Sequence, residues 1–105
     1  MASPQLKNGH TRVAHEILEA IVRSNLSAVQ LKTVIWILRL TYGFQRIEMT
    51  TNVGAFATKL RTTGKYVKEV LGDLERLSVI TAEWASPELC KLRFNKDFDK
   101  WKCFL

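Results

Sequence analysis

The stretch from residue 61 to residue 77, RTTGKYVKEVLGDLERL, has a clear helical pattern that limits the folds open to this chain. Five apolar residues recur at steps of three and four positions, which places them on one face of an α-helix. They are Val67, Val70, Leu71, Leu74 and Leu77. Thr63 stands just before this run, where its hydroxyl can accept a hydrogen bond from a free backbone N–H of the first turn. The pattern predicts an amphipathic helix packed against a core.

A shorter helix is predicted immediately before this one. Asn52 is suited to cap it. Its inward-facing residues are Val53, Phe56, Ala57 and Leu60. Only the residues 61–63, Arg-Thr-Thr, link the two helices, and so short a link is typical of a helix-turn-helix.

Two further helices precede this pair. Residues 11–24 carry an apolar stripe opposite charged side chains, which is typical of a surface helix. Ser27 and Gln30 have the spacing of a capping box, in which each side chain binds the other residue's free backbone N–H. The residues that follow, up to Tyr42 and Gly43, are apolar nearly all round, as expected of a central core helix.

Three strands are predicted from alternating or β-rich runs. Residues 46–50 alternate as a short edge strand, and residues 78–84 and 89–94 form a hairpin across the link ASPE. The resulting order, α-α-β-α-α-β-β, is that of a winged helix-turn-helix, which is mainly α with a small β hairpin as its wing. We therefore predict a winged-helix DNA-binding domain over residues 11–94.

The two ends of the chain differ from this domain. Residues 1–10 are polar and include a Pro and a Gly, so they are predicted to form a leader. Residues 95–105 are predicted to form a short amphipathic helical tail whose aromatic side chains complete the core or, as the alternative, form a partner site such as a dimer contact. The residues at helical spacing are Phe94, Phe98, Trp101 and Leu105. A length of 105 residues with 47% hydrophobic residues suits one globular domain.

The charge of the chain favours an anionic partner. Sixteen Lys and Arg stand against ten Asp and Glu, which gives a formal net charge of +6. Residues 59–68 contain no acid, and they hold the four cations Lys59, Arg61, Lys65 and Lys68. This concentration around the start of the predicted second helix of the motif indicates a nucleic-acid surface.

Ten residues are predicted to contact double-stranded DNA. They are Lys59, Arg61, Thr62, Thr63, Lys65, Tyr66, Lys68 and Glu69, with Lys91 and Arg93 from the hairpin. Lys65 and Glu69 lie four positions apart on one helical stripe, where a Lys can donate to guanine and a Glu can accept from cytosine in the major groove. The alternative is a solvated helix face on which these two side chains pair with each other.

Trp36 is predicted to lie on the solvent-facing line of the core helix, between Lys32 and Arg39. Three interpretations fit this position. Trp36 forms a dimer contact, it belongs to a patch that faces phosphate, or it is an ordinary Trp shielded by cationic side-chain stems.

Nothing in the sequence favours catalysis, a metal or a cofactor. The chain has no Gly-rich phosphate loop and no Ser or Cys placed with a base. Cys90 and Cys103 lack CxxC spacing, and His10 and His15 lack ligand-spaced partners, so free thiols and structural histidines are expected. We also find no signal peptide and no apolar run of roughly 20 residues, so we expect an intracellular protein that binds no membrane.

Two long segments carry a family resemblance. NGHTRVAHEILEAIVRSNLSAVQLKTVIWILRLTYGF and TNVGAFATKLRTTGKYVKEVLGDLERLSVI resemble the N-terminal domain of phage replication protein O, of the lambda O type. The TYGF segment is the most specific part, whereas the helix-turn-helix half is shared by many regulators. The sequence departs from many such motifs at Lys59-Leu60-Arg61, where a small residue or Gly is common.

The resemblance implies a winged-helix domain that binds repeated sites at a phage replication origin as a homodimer, in the cytoplasm of a bacterial host cell. It also implies a separate C-terminal region that recruits the replicative helicase machinery. Helicase recruitment is then either carried by residues beyond Leu105 or is not a function of this protein. Two other functions stay open on the residues alone. One is a small winged-helix transcriptional regulator, and the other is a winged helix used only as a protein-interaction module.

Overall fold

Helices and strands follow one another in the order α1-α2-β1-α3-α4-β2-β3. In the computed structural model, which describes residues 1–104, these elements are α1 His15–Arg23, α2 Ala28–Thr41, β1 Glu48–Asn52, α3 Val53–Leu60, α4 Gly64–Arg76, β2 Ile80–Trp84 and β3 Leu89–Phe94. Single 3-10 turns cover Leu6–Asn8, Tyr42–Phe44 and Phe98–Lys100. The protein is a small α+β domain, and the element order matches the predicted one.

The three strands form one antiparallel sheet in the order β1-β3-β2. β1 lies at an edge, as predicted, although it covers Glu48–Asn52 and not residues 46–50. In the central strand β3, Cys90, Leu92 and Phe94 are buried. The alternate residues of β3 face away from the core, because successive side chains of a strand point to opposite sides. The sheet thus has one covered face and one solvent face.

Helices α2 and α4 supply most of the apolar side chains that cover the inner face of the sheet. In α2 these are Val34, Ile37 and Leu38, and in α4 they are Val67, Val70, Leu71 and Leu74. All of the α4 residues lie on the stripe predicted from the sequence, whose last member, Leu77, is half-buried. A Cβ on Gly64 would lie 3.2 Å from Cγ1 of Val53, so α4 begins in close contact with the start of α3.

The three helix caps predicted from the sequence are confirmed. Ser27 and Gln30 form the reciprocal capping box, with Ser27 N donating to Gln30 Oε1 at 2.8 Å. Asn52 Oδ1 accepts from the backbone N–H of the second and third residues of α3 at 2.8 and 3.2 Å. Thr63 Oγ1 accepts from Tyr66 N at 3.1 Å. These bonds satisfy N–H groups that a helix start leaves unpaired.

Three helical segments end on a residue in the left-handed conformation, and none of these residues is Gly. They are Gln45, Arg61 and Ser78, with φ of 57°, 56° and 61°. At each end two backbone N–H groups bond back to carbonyls of the last turn, as Val79 N does to Leu74 O at 3.0 Å. This is the bonding of a Schellman motif, which usually has Gly at the left-handed position.

The first helix is shorter than predicted. It begins at His15 and not at residue 11, and Ala14 at its N-cap position makes no side-chain cap bond. Ile17 and Ala20 are buried, but Leu18 and Val22 in the same predicted helix are 46% and 83% exposed. Only part of the apolar face of α1 is therefore covered by the core, and the rest is exposed to solvent.

The prediction of a helix in the C-terminal tail is wrong. Residues 98–100 form a single 3-10 turn, and Trp101 that follows is extended. Trp101 is nevertheless buried, with its indole N–H donating to Asn95 O at 2.8 Å, and Cys103 O accepts from Asn25 N at 2.6 Å. The tail packs back onto the domain, so the predicted core role of its aromatic residues is confirmed. Leu105 lies outside the described residues.

Both cysteines are buried free thiols, as predicted. Burial raises the pKa of Cys90 to about 11 and also raises the pKa of Cys103. Each helix within residues 1–104 is too short or too polar to cross a lipid bilayer.

Candidate nucleic-acid interface

The turn between α3 and α4 consists of three polar residues. Arg61 adopts the left-handed conformation, and its N–H bonds to Thr58 O at 3.2 Å while Thr62 N bonds to Ala57 O at 3.0 Å. Because these bonds close the end of α3, the chain can turn into α4 at Thr63. The side chains of Arg61 and Thr63 are exposed, and that of Thr62 is half-buried.

The first turn of α4 presents Lys65 and Tyr66 to solvent. Tyr66 is 42% exposed. No acidic residue lies in this turn, although the N-terminal end of a helix carries a partial positive charge that an acid would offset. Lys65 therefore lies at a helix end where a positive charge lowers the stability of the helix. The free backbone N–H groups at this end favour the binding of an anionic ligand.

Within residues 1–104, the cations around this helix end have no acidic partners. The ion pairs within residues 1–104 are Arg76 with Asp73, Lys91 with Glu83, and Lys100 with Asp97. None of these pairs includes Lys59, Arg61, Lys65 or Lys68. Lys65 and Glu69 are both exposed, and they do not form the ion pair that was the alternative to DNA contact. Both charged groups are free to meet a ligand.

Lys59, at the C-terminal end of α3, lies over an aromatic ring of α2. Its Nζ is 4.7 Å from the centroid of the Trp36 ring. Trp36 is half-buried and packs against the core, so it is less open to solvent than the sequence pattern predicts. A cation–π contact of this kind is worth about 0.5–1 kcal/mol at an exposed site, and it fixes the position of the ammonium group.

Lys91 and Arg93 lie apart from this group, on the solvent face of the sheet. Lys91 Nζ is 3.1 Å from Glu83 Oε2, and Arg93 is directly opposite Glu48 in the β1–β3 register. The hydrogen bond to Glu83, together with the charges of Glu48 and Glu83, raises the pKa of Lys91. This face combines acids with bases, so it does not extend the unpaired positive surface of α4.

Residues 3–101 match the model of the bacteriophage replication protein O family. The chain belongs to this family. The resemblance read from the sequence is thereby confirmed, and membership indicates a role in the replication of phage DNA. No curated protein sequence and no solved structure matches the chain.

In this member of the replication protein O family, the tip of the β2–β3 hairpin lies beside α4. Lys68, Trp84, Ser86 and Pro87 line a shallow depression between them. Trp84 is 42% exposed, and sequence reasoning missed it because alternation along β2 places it on the covered face. The hairpin extends past the core, so Trp84 faces the side of α4. Glu88 O at the tip accepts from Val53 N at 2.9 Å.

Proposed function

We propose that this domain binds double-stranded DNA in a sequence-specific manner at a phage replication origin. The observation that carries the proposal is the group of four exposed, unpaired cations around the start of α4, in a chain of a phage replication family. Clustered Lys and Arg on one side of a domain are the electrostatic feature of a nucleic-acid surface.

In this proposal the domain is a winged helix-turn-helix, in which α3 and α4 are the motif and the β2–β3 hairpin is the wing. The element order, the three-residue turn and the hairpin tip beside Lys68 support it. α4 enters the major groove with its N-terminal end foremost, as the second helix of such motifs does.

The predicted contacts divide into two kinds. Lys65 and Glu69 read base edges, since their ammonium and carboxylate groups are exposed and unpaired. Tyr66 lies beside them against a sugar or a base edge. The other members of the group bind phosphate and set the position of the helix on the duplex. They are Lys59, Arg61, Thr62, Thr63 and Lys68.

Lys91 and Arg93 are proposed to contact DNA phosphates and to contribute less to the affinity than the cations around α4. Lys91 already has Glu83 as a partner, so a phosphate must compete with an existing ion pair. An exposed ion pair of this kind is worth only about 0–1 kcal/mol, and a phosphate can displace it.

We further propose that two copies bind adjacent half-sites as a homodimer. Leu18 and Val22 on α1 are exposed apolar residues that a second copy could cover, whereas the aromatic tail is already packed in the core. A two-fold dimer of this class reads half-sites separated by about 34–36 Å, which is one turn of DNA. Recruitment of the replicative helicase is part of this proposal only if a C-terminal region exists beyond residues 1–105.

The test is equilibrium binding to a phage-origin duplex and to a scrambled duplex, from 50 to 200 mM salt. Each phosphate contact adds about 0.9 to the log-log slope, so four contacts lower the affinity roughly 150-fold over that range. A steep slope together with preference for the origin duplex supports the proposal. Binding that is absent, or flat with salt, leaves the protein-interaction module as the better function, and preference for promoter DNA favours the transcriptional regulator.

A further inference from the structure

A second group of cations and aromatic rings lies on the outer side of α2 and the 3-10 turn after it. We call it the α2 patch, and its members are Lys32, Trp36, Arg39, Phe44 and Arg46. The guanidinium carbons of Arg39 and Arg46 lie 4.9 and 5.0 Å from the centroid of the Phe44 ring. Phe44 is 53% exposed, so this stack stands on the surface of the domain.

The charge pattern along the chain explains why this surface is so positive. Between Glu19 and Glu69 the sequence contains eight Lys and Arg and a single acid, Glu48. Glu48 is paired in register with Arg93 on the solvent face of the sheet. The cations of the α2 patch form no ion pair within residues 1–104.

The contact between Lys59 and Trp36 joins the α2 patch to the cations around the start of α4. Lys32, Trp36 and Arg39 share one face of α2, because residues three and four positions apart are neighbours on a helix. Lys59 of α3 lies over the Trp36 ring, and Arg61 follows two residues later. The positive surface thus continues from α4 across Trp36 to the Phe44 stack.

The geometry of the stack favours phosphate over bases. Cations lie over the rings of Trp36 and Phe44, so these rings are poorly placed to stack on unpaired bases. A guanidinium that is stacked on a ring keeps its N–H edge free for a phosphate oxygen, and it loses less side-chain freedom when it binds. A Cβ on Gly43 would lie 2.9 Å from Thr11 Oγ1 and 3.0 Å from Arg39 Nη1, so Gly at this position leaves space for both side chains.

We propose that the α2 patch is a second contact surface for the backbone of duplex DNA, in which Arg39 and Arg46 bind phosphates flanking the site read by α4. This inference rests on the proposed function, since it assigns a longer footprint to the same DNA complex. It adds affinity that does not depend on sequence, because phosphate contacts carry no base information.

The test compares the wild-type protein with the double variant Arg39→Gln/Arg46→Gln on an origin duplex that carries flanks of about 10 bp on each side. The charge-matched control is Arg76→Gln/Lys100→Gln, whose two cations lie in ion pairs outside the patch. Loss of two phosphate contacts reduces the salt slope by about 1.8, so the affinity ratio between 50 and 200 mM salt shrinks roughly 12-fold. The ratio of origin to scrambled affinity stays unchanged.

A second variant, Arg39→Lys/Arg46→Lys, keeps both charges but loses the planar stack, and we expect it to restore most of the salt slope with weaker overall affinity. Thermal unfolding checks that each variant is folded. The inference is overturned if the Gln variant keeps the wild-type salt slope, or if its affinity falls only for single-stranded DNA. It is also overturned if the ratio of origin to scrambled affinity falls in this variant. Each of these results leaves the proposed function intact, whereas a wild-type protein without salt-dependent duplex binding removes the proposed function itself.

Discussion

Lys65 is the residue at which helix stability and the proposed DNA contact conflict most clearly. It stands in the first turn of α4, where the helix dipole disfavours a cation, and no acid in that turn offsets it. A residue chosen for stability alone would be Asp or Glu. The residue that is present suits an anionic ligand placed at the same helix end.

We therefore expect Lys65→Glu to separate the two properties. The new carboxylate should add about 0.3–1 kcal/mol to the free energy of unfolding through its interaction with the helix end. Repulsion from Glu69, four positions on, should offset about 0.2–0.5 kcal/mol of this gain. The variant should lose DNA binding, because the new carboxylate repels phosphate. Urea denaturation measures the first effect and fluorescence anisotropy the second. Arg76→Glu, at the opposite end of α4, is the control and should lower stability while leaving DNA affinity largely unchanged.

A second expectation distinguishes base reading from phosphate binding. Lys65→Ala and Glu69→Ala should each lower the ratio of origin to scrambled affinity, since a good base contact contributes roughly 1–3 kcal/mol of discrimination. Arg61→Ala should weaken binding to both duplexes by the same factor. Titrations at one fixed salt concentration give these ratios. An unchanged ratio in both the Lys65 and the Glu69 variants would falsify the base-reading assignment.

At the scale of the elements, three helix ends have a strained backbone conformation that a substitution by Gly can relieve. Gln45, Arg61 and Ser78 all have positive φ, which costs an L-residue roughly 1–2 kcal/mol relative to the right-handed region. The Arg61 position closes the turn before α4 and presents a cation there. Ser78 closes α4 at its far end, and its backbone carbonyl accepts from Asn95 Nδ2 at 2.8 Å.

Ser78→Gly should accordingly raise the free energy of unfolding by about 0.5–1 kcal/mol, because Gly adopts positive φ without strain while losing somewhat more chain entropy on folding. The bond from Asn95 is kept, since it goes to the backbone. Ser24→Gly is the matched control: Ser24 has φ −69° and its hydroxyl donates to Ile21 O, so that exchange should lower stability. Thermal and urea unfolding report both changes, and a Ser78→Gly protein no more stable than the wild type contradicts the expectation.

The elements also show what sequence can and cannot predict. The three-and-four spacing of α4 and the caps at Ser27, Asn52 and Thr63 are local, so they were predicted correctly. The extended course of the C-terminal tail was not predicted, because it depends on hydrogen bonds to residues that are distant in sequence. One such bond joins Lys102 N to Leu77 O at 2.8 Å.

The candidate site shows the same limit. The cations around α4 were found because they are close in sequence. The separation of Lys91 and Arg93 from them follows from the strand register, and the Phe44 stack depends on the path of the turn after α2. Neither could be read from spacing alone.

For the whole molecule, the buried thiol of Cys90 makes stability depend on alkaline pH. Burial raises its pKa from 9.0 to about 11 in the folded protein. Below pH 9 the thiol is protonated in both states and has no effect. Between pH 9 and 11 the unfolded chain loses this proton while the folded protein keeps it, so stability falls as pH rises.

The loss attributable to Cys90 should approach about 2–3 kcal/mol by pH 11, since each pKa unit corresponds to roughly 1.4 kcal/mol. Urea unfolding of the wild type and of Cys90→Ala at pH 8, 9.5 and 10.5 isolates it, because the other titrating groups are common to both proteins. The wild type should lose stability more steeply than the variant. Parallel pH profiles would show that Cys90 ionises equally easily in both states.

The uneven placement of charge along the sequence also bears on how fast the proposed complex with DNA would form. Residues 20–68 hold eight cations and one acid, whereas the rest of the sequence holds eight cations and nine acids. Most of the excess positive charge therefore belongs to this part of the sequence, and in the proposed function the field of a duplex would turn the protein during diffusion so that α4 and the α2 patch face the DNA before contact. Added salt should then lower the association rate much more than mismatched base pairs in the site do. Mismatched base pairs should act mainly on the lifetime of the complex. In the proposed complex, the rate of association would thus depend on the total charge of this surface, and the lifetime of the complex on its base contacts.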